Sequence, residues 1–235
     1  MRTPLALAAL AVALTACGGS SSGGSADTVA PQSSSTGSST ASSPAAATGG
    51  CQAVPAAKPS PQQFSHEPKV TIARTAYTAT IDTNCGTIVV KLDGKNAPHT
   101  VNSFAFLAGK HYFDNSPCHR LTTQGIYVLQ CGDPTGTGTG GPGYTIPDEN
   151  LKGAKYPAGT LAMANTGQPH SGGSQFFFCY DDTQLPPQYT PFGKVVQGLG
   201  VLKKIAKAGS DNSNGPGDGK PNQPVVIESF TVTKG

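Results

Sequence analysis

The feature that most constrains the fold is a stretch from Gly18 to about Ser65 that contains almost no large apolar side chains. Ser, Gly, Ala, Thr and Pro dominate it, so it cannot bury enough apolar surface to offset the entropy lost on ordering. We expect a flexible tether that spans about 35–40 Å root-mean-square. Folding is then confined to residues 68–235, a length suited to one domain with a single core.

A short apolar segment precedes the tether. Met1-Arg2 is followed by Ala, Leu and Val almost without interruption from Pro4 to Thr15. A membrane-spanning helix needs about 20 apolar residues, so this shorter segment instead predicts a signal peptide over residues 1–16. The segment ends in Leu14-Thr15-Ala16-Cys17, which resembles the bacterial lipobox.

In lipobox proteins the cysteine carries lipid and becomes the first residue of the mature chain. The resemblance implies a lipid anchor at Cys17, a tether over residues 17–67 and an extracytoplasmic location, with membrane contact through the lipid only. An ordinary cleavage site followed by an incidental cysteine is the alternative interpretation.

Charge and cysteine content limit the partners. The net charge is +3, with 12% charged residues and scattered lysines, so we expect no nucleic-acid partner. We also expect the chain to be a monomer. Of six cysteines, five remain if Cys17 is lipidated, and this odd number leaves at least one thiol unpaired within a monomer. An extracytoplasmic location permits disulfides.

Hydrophobic periodicity predicts a mainly β domain. Alternation predicts strands, and a 3.6-residue period predicts helices over residues 98–109 and 195–208. The predicted strands cover residues 70–83, 87–92, 118–122, 127–131, 160–164, 175–180 and 225–233. Many short strands with only two helices indicate a β-barrel or sandwich.

The sequence lacks the common motifs for nucleotide binding, nucleophilic catalysis and metal binding. Residues 136–141 spell G-T-G-T-G-G, but Pro142-Gly143 follows and starts no helix, so a surface loop is predicted rather than a nucleotide site. Residues 172–176 begin like a nucleophile elbow but end in Phe176 where glycine is required. The five histidines show no metal-ligand spacing, and we expect neither a metal nor a cofactor.

Five segments, in order, resemble the cyclophilin family. They are C-H-R-L-T-T-Q-G-I-Y-V-L-Q-C-G-D-P (118–134), the glycine-rich run (136–141), L-A-M-A-N (161–165), S-Q-F-F-F-C (174–179) and F-G-K-V (192–195). The resemblance covers most of residues 77–233. It implies a closed eight-stranded antiparallel β-barrel capped by two α-helices, with peptidyl-prolyl cis/trans isomerase activity.

The resemblance also implies residue roles. Arg120 matches the catalytic arginine, Gln130 the glutamine beside it, and Asn165 the asparagine that binds the substrate backbone. The implied proline pocket consists of Tyr127, Val128, Met163 and Phe177. The rest of the implied groove consists of His119, Ala164, Thr166, Gln175, Leu185 and Tyr189.

The implied partners are proline-containing unfolded or flexible polypeptides. A non-catalytic proline-peptide binding module on the same barrel is the alternative function, although Arg120, Gln130 and Phe177 together argue against it. A solute-binding lipoprotein would also suit the anchor, but such proteins usually have two lobes and this domain is too small.

The sequence departs from the family pattern at two places that matter. About two extra residues separate Arg120 from Tyr127, which leaves open both the register of this hairpin and the equivalence of Tyr127. Cyclosporin-sensitive members carry a tryptophan on the groove rim, whereas this chain has no tryptophan and places Leu185 near that position.

Disulfide pairing follows from the hairpin register. A two-residue turn at Gln124-Gly125 would place Cys118 opposite Cys131, and Cys51 could then join Cys85, leaving Cys179 as a buried thiol. The same register would put the side chains of residues 120 and 130 on opposite faces of the sheet. The family resemblance, however, implies that Arg120 and Gln130 share a face. A regular hairpin with a two-residue turn cannot both pair Cys118 with Cys131 and place these two side chains on one face.

Overall fold

A computed structural model of the protein describes residues 50–53 and 61–235. The predicted signal peptide, Cys17 and most of the predicted tether lie outside these residues. None of the helices described here is long and apolar enough to cross a membrane. The strands and helices are β1 Ala76–Thr83, β2 Gly86–Asp93, α1 Pro98–Gly109, β3 Ser116–Pro117, β4 Arg120–Thr122, β5 Val128–Cys131, β6 Thr160–Met163, β7 Phe176–Cys179, β8 Pro191–Gln197, α2 Leu199–Lys207, β9 Asp218–Gly219 and β10 Val226–Lys234.

All ten strands belong to one sheet, in the order β3-β10-β1-β2-β8-β6-β7-β5-β4-β9. Every pairing is antiparallel. The predicted class, mainly β with two helices, is confirmed. The closed eight-stranded barrel is not confirmed, because β3 and β9 end the sheet and no ladder joins them within residues 61–235.

An aromatic core lies inside the curl of the sheet. Phe104 of α1 packs against Phe176 of β7, with ring centroids 5.5 Å apart, and against Phe230 of β10, at 6.0 Å. Strands β7 and β10 are far apart in the order of the sheet, so one side chain can contact both only if the sheet curls around α1. Phe192 of β8 completes this contact at 4.7 Å.

The prediction starts the second helix too early, at residue 195 instead of Leu199. Residues 191–197 form β8, and Val195 pairs with Val90 of β2, so α2 covers only Leu199–Lys207. Pro191 and Gly193 hide this strand, because both residue types are rare inside strands. Gly198 separates the two elements with φ +92°, a left-handed conformation that favours glycine.

The end of the predicted tether is attached to the domain. A disulfide joins Cys51 to Cys85, and the Gln52 N–H donates to the Asn84 carbonyl at 2.7 Å. Phe64 packs edge-on against Phe106 of α1, with centroids 4.9 Å apart. Parts of residues 50–67 therefore contact the domain that we predicted to begin at residue 68.

Candidate active site

Four neighbouring strands place a row of side chains on one face of the sheet. Arg120 of β4 stands opposite Gln130 of β5, which stands opposite Phe177 of β7, which stands opposite Ala162 of β6. Directly paired residues in antiparallel strands point to the same face. The register thus brings the predicted catalytic pair beside an aromatic ring.

A cleft of about 340 Å³ opens over this row. Nine of the predicted site residues line it: His119, Arg120, Val128, Gln130, Ala164, Asn165, Phe177, Leu185 and Tyr189. They come from β4, β5 and β7, from the residue before β4 and from the segments after β6 and β7. Thr166 and Gln175 line an adjoining depression, which shares Gln130, Ala164 and Asn165 with the cleft.

Arg120 is held by a carboxylate that the sequence did not reveal. Its Nε donates to Asp218 Oδ1 at 2.8 Å and its Nη2 donates to Asp218 Oδ2 at 2.7 Å. The hydrogen bonds that Arg120 donates to Asp218 raise the pKa of Arg120 and hold the pKa of Asp218 below its ordinary value. Both groups are therefore charged over the whole physiological range.

A chain of amides continues from the guanidinium. Arg120 Nη1 donates to Gln130 Oε1 at 3.3 Å, and Gln130 Nε2 donates to Gln175 Oε1 at 2.9 Å. Gln175 Nε2 then donates to the carbonyls of Gly138 and Gly140, each at 2.9 Å. These bonds link the arginine to the glycine-rich loop.

The glycine-rich loop is wrapped around a buried carboxylate. The carboxylate of Asp133 accepts the backbone N–H groups of Thr135, Gly138 and Gly140 at 2.7–3.0 Å. Although burial raises its pKa, the hydrogen bonds from Thr135 and Gly140 hold the pKa of Asp133 below its ordinary value. Because these N–H groups already bind an anion, they are not directed at a phosphate, and the predicted surface loop is confirmed.

The floor of the cleft is apolar. Val128 and Phe177 are 2% and 4% exposed and belong to a small cluster separate from the main core. Tyr189 packs edge-on against Phe177, with centroids 5.6 Å apart, and Leu185 and Ile126 cover the same cluster. A guanidinium and an apolar pocket are thus neighbours in one cleft.

Two residues expected in the proline pocket lie elsewhere. Met163 is 3% exposed in the main core, because it pairs with Phe176, whose ring faces the same side. Tyr127 packs toward Tyr180, with centroids 6.0 Å apart, and Ile126 lines the cleft instead. Side chains alternate between the two faces of a strand, so a shift of one residue moves a side chain out of the cleft.

His119 lies at the edge of the cleft beside the glycine-rich loop. Neither of its ring nitrogens has a hydrogen-bond partner in the described part of the chain. Burial lowers the pKa of His119 below 6.5, so the ring is neutral at neutral pH. It therefore contributes shape rather than charge.

The hairpin that carries Arg120 satisfies both requirements that seemed incompatible. The structure contains the disulfides Cys118–Cys131 and Cys51–Cys85, and it leaves Cys179 as a buried thiol. Arg120 nevertheless faces Gln130, because the pairing differs by one residue from that of a two-residue turn. Cys118 lies outside the β4–β5 ladder, and its N–H donates to Val225 at 2.9 Å.

Sequence reasoning missed the loop that carries Asp218. This segment lies 98 residues after Arg120 and is rich in Gly and Asn, without hydrophobic periodicity. It docks on the extra residues of the β4–β5 hairpin, where the Thr123 N–H donates to Gly217 at 2.7 Å. The two irregular segments support each other, and neither alone signals the ion pair.

Comparison with known proteins identifies the family. The family model described as "Cyclophilin type peptidyl-prolyl cis-trans isomerase/CLD" matches residues 78–232. The chain is 45% identical over 198 residues to the "Probable peptidyl-prolyl cis-trans isomerase B" of Mycobacterium leprae, covering 77% of this chain and 66% of that protein. It is 43% identical over 138 residues to a Helicobacter pylori peptidyl-prolyl cis-trans isomerase, covering 57% of this chain and 82% of that one.

Solved structures agree with this result. A cyclophilin type isomerase of Cryptosporidium parvum superposes with a TM-score of 0.60 at 30% identity, covering 68% of this chain and 99% of that chain. The same protein solved in the presence of the dipeptide Ala-Pro gives a TM-score of 0.59 at 30% identity, covering 67% of this chain and 99% of that chain. The chain is also 48% identical over 164 residues to the "Probable peptidyl-prolyl cis-trans isomerase B" of Mycobacterium tuberculosis, but it spans only 52% of that protein. The match therefore concerns the isomerase domain and not the whole relative. This chain belongs to the cyclophilin-type peptidyl-prolyl cis-trans isomerase family.

Proposed function

We propose that the protein is a peptidyl-prolyl cis/trans isomerase that accelerates rotation about X-Pro bonds in extracytoplasmic polypeptides and so assists their folding. The observation that carries this proposal is the position of Arg120, which faces Gln130 in the same row as Phe177. A hydrogen-bond donor and an apolar pocket are the two elements that this reaction needs. Neither a metal nor a cofactor takes part.

The barrier to rotation is the loss of amide resonance, about 18–20 kcal/mol. When the X-Pro bond is twisted, the imide nitrogen becomes pyramidal and regains a lone pair. A donor directed at this nitrogen stabilises the twisted state more than the planar state and so accelerates rotation. Arg120 is the donor, because its guanidinium remains charged and hydrogen-bonded in place.

The ion pair leaves donors available to the substrate. A guanidinium has five N–H donors, and the contacts with Asp218 and Gln130 engage Nε–H, one N–H of Nη1 and one N–H of Nη2. The second N–H on each of Nη1 and Nη2 is not used by these contacts. The guanidinium is thus held at all three nitrogens and still has one N–H on Nη1 and one on Nη2 to donate to a substrate.

The apolar pocket holds the proline ring while the preceding peptide group rotates. Phe177 and Val128 form its floor, and Leu185 and Tyr189 form its wall. Because these contacts are the same for both isomers, they bind the substrate without favouring either product. Their loss should therefore raise KM more than it lowers kcat.

Asn165 offers its backbone to the substrate. Its side chain is already bonded, since Nδ2 donates to Gln188 at 2.8 Å and Oδ1 accepts from Gly167 at 3.0 Å. Its backbone N–H and carbonyl have no hydrogen bond to any residue of the described chain. An extended peptide can pair with these groups, as in β-strand addition.

A peptide assay separates the enzyme from a non-catalytic binder. We expect the protein to accelerate exchange between the cis and trans forms of an Ala-Pro peptide, measured by NMR exchange spectroscopy or a protease-coupled assay. Binding of the same peptide without faster exchange would show that the module only binds proline peptides. The Arg120→Ala variant is the matched control, because it keeps the apolar pocket.

We further propose that Cys17 carries lipid and anchors the domain, as a monomer, to the outer face of the cell membrane. The support is the lipobox Leu14–Cys17 ahead of the long polar stretch. The protein should fractionate with membranes, and Cys17→Ala should release it or block processing. If the variant is processed and fractionates with membranes as the parent does, the anchor is disproved.

A further inference from the structure

A second groove, of about 670 Å³, does not include Arg120 among its lining residues and is rich in positive charge. It is formed by the strands β2, β6 and β8 and by the segments before β1 and before β6. Five cationic side chains line it: Arg74, Lys91, Lys95, Lys155 and Lys194. Asp93 is the one acidic residue among its lining residues. We call this surface the basic groove. Five positive charges and one negative charge give it a net charge of +4, which exceeds the +3 of the whole chain.

The charges of the basic groove are not balanced within the protein. Lys91 and Lys194 stand directly opposite each other in the β2–β8 ladder, and both are exposed. Like charges at opposed positions of an antiparallel pair are destabilising. None of the five cationic side chains forms a salt bridge with another residue in the described ranges, and the carboxylate of Asp93 accepts hydrogen bonds from Asn96.

The surface of the groove is not purely polar. Pro157 and Pro191 line it together with Val196, which is 61% exposed and is the one large hydrophobic side chain among the described residues with that degree of exposure. Apolar side chains between cations suit a partner that alternates negative and apolar groups. A polypeptide segment with acidic and apolar residues has this chemistry.

The basic groove and the cleft have a common neighbour on the surface. A smaller depression between them shares Leu185 with the cleft, and it shares Lys155 and Pro157 with the basic groove. A peptide whose proline lies beside Phe177 can therefore run past Leu185 toward the lysines.

We propose that the basic groove binds acidic segments of the polypeptides whose prolines are isomerised in the cleft. This inference rests on the proposed isomerase function, because it names a class of preferred substrates. The groove anchors the chain beside the proline without touching the rotating bond. It should lower KM for substrates with an acidic segment and leave kcat unchanged.

The test compares two kinds of peptide on the full-length protein. Each contains the same Ala-Pro core, followed or preceded by a linker and either six acidic or six glutamine residues. The wild-type protein should show a KM about three- to tenfold lower for the acidic peptides at low salt, in at least one of the two orientations. The advantage should vanish near 1 M salt, where the Debye length is about 3 Å.

Two charge-matched variants locate the effect. In the groove variant, Gln replaces Lys91, Lys155 and Lys194. In the control variant, Gln replaces Lys203, Lys204 and Lys207, which are exposed on α2. The groove variant should lose the advantage and the control should retain it. The groove variant should also be at least as stable as the wild type, because the repulsion between Lys91 and Lys194 is removed.

Direct binding separates failure of this inference from failure of the isomerase function. A fluorescently labelled acidic peptide without proline should bind the wild type and the control, but not the groove variant, by anisotropy. Binding that persists without any isomerisation would disprove the enzyme but keep the groove. Equal loss of peptide binding in the groove and control variants would show a general charge effect. If the groove variant lost binding to phosphatidylglycerol vesicles but still bound the acidic peptide, the partner would be an anionic membrane. Either result overturns the proposal.

Discussion

Asp218 accepts hydrogen bonds from Nε and Nη2 of Arg120, the shortest at 2.8 and 2.7 Å, while Nη1 donates to Gln130. Planar bidentate pairing fixes both the position and the orientation of a guanidinium. The side chains of Arg120 and Asp218 are 33% and 26% exposed, so the ion pair is partly shielded from solvent. Arg120 therefore does not need the substrate in order to be ordered.

Replacing Arg120 with Ala should lower kcat/KM about ten- to a hundredfold, because one charge-assisted hydrogen bond in the twisted state is worth about 1.5–3 kcal/mol. Lysine should restore little, since it lacks the fork that binds both Asp218 and Gln130. Circular dichroism should show both variants folded. Unchanged turnover in a folded Arg120→Ala protein would exclude Arg120 as the donor.

Asp218→Asn should lower kcat roughly fivefold with little change in KM, because Asn can replace only one of the two hydrogen bonds to Arg120 and the guanidinium loses its fixed orientation. Arg120→Ala should abolish this sensitivity, so that adding Asp218→Asn to it has no further effect on turnover. A KM effect, or additive losses in the double variant, would argue against a positioning role for Asp218.

The same ion pair predicts how stability depends on pH. Pairing with Arg120 lowers the pKa of Asp218 in the folded state below its ordinary value of 3.8, so the ionised form is favoured by folding. Its contribution is complete above 3.8 and is lost as the pH falls through the lower, folded value. The difference in Tm between wild type and Asp218→Asn should be constant near neutral pH and should shrink in acid. A difference that does not change with pH would contradict this account.

The sequence predicted most of the strands and the proximity of Arg120 to Gln130, but neither β8 nor the Asp218 contact, and the reason is physical. Arg120 and Gln130 lie in strands with clear patterns, so the family motif and local pairing agree. Asp218 begins the two-residue strand β9, which pairs with β4 and is too short to show a hydrophobic pattern, so its position depends on tertiary packing. Met163 was placed in the wrong layer because a motif gives the position of a residue in a strand but not which face it occupies.

Asp133→Asn should destabilise the domain by about 3 kcal/mol and also lower kcat/KM. The residue is fully buried, and its carboxylate accepts N–H groups from Thr135, Gly138 and Gly140. The amide group of asparagine would direct its own N–H groups at one of these donors. Because Gln175 binds the same loop, the amide chain to Arg120 should loosen as well.

Urea denaturation measures this loss of stability. The exposed Asp181→Asn change is a suitable control and should stay within about 0.5 kcal/mol of the wild type. Equal stability of the two variants would show that Asp133 does not organise the loop.

Cysteine chemistry gives an independent check of the fold. A chain of residues 50–235 contains five cysteines, four of them in the disulfides Cys51–Cys85 and Cys118–Cys131. Burial raises the pKa of the remaining Cys179 to about 12, so its thiol should not react with Ellman's reagent in the folded protein. Unfolding without reductant should release one reactive thiol per chain. Peptide mapping that finds Cys118 and Cys131 as free thiols would rule out the Cys118–Cys131 disulfide.

The protein should isomerise peptides yet bind cyclosporin poorly. In cyclosporin-sensitive cyclophilins a rim tryptophan donates its indole N–H to the drug, and this chain has no tryptophan. Leu185 lines the cleft and offers apolar area without a donor, so a drug carbonyl loses its partner. The cost is about 1–3 kcal/mol, or roughly five- to a hundredfold in affinity. Leu185→Trp should tighten inhibition and leave kcat nearly unchanged, because the contacts of Arg120 with Asp218 and Gln130 do not involve this residue; any effect on the substrate should appear in KM, since Leu185 forms a wall of the proline pocket. Inhibition of the unmodified protein as tight as that of a tryptophan-bearing cyclophilin, measured in the same assay, would show that Leu185 does not set the affinity for the drug.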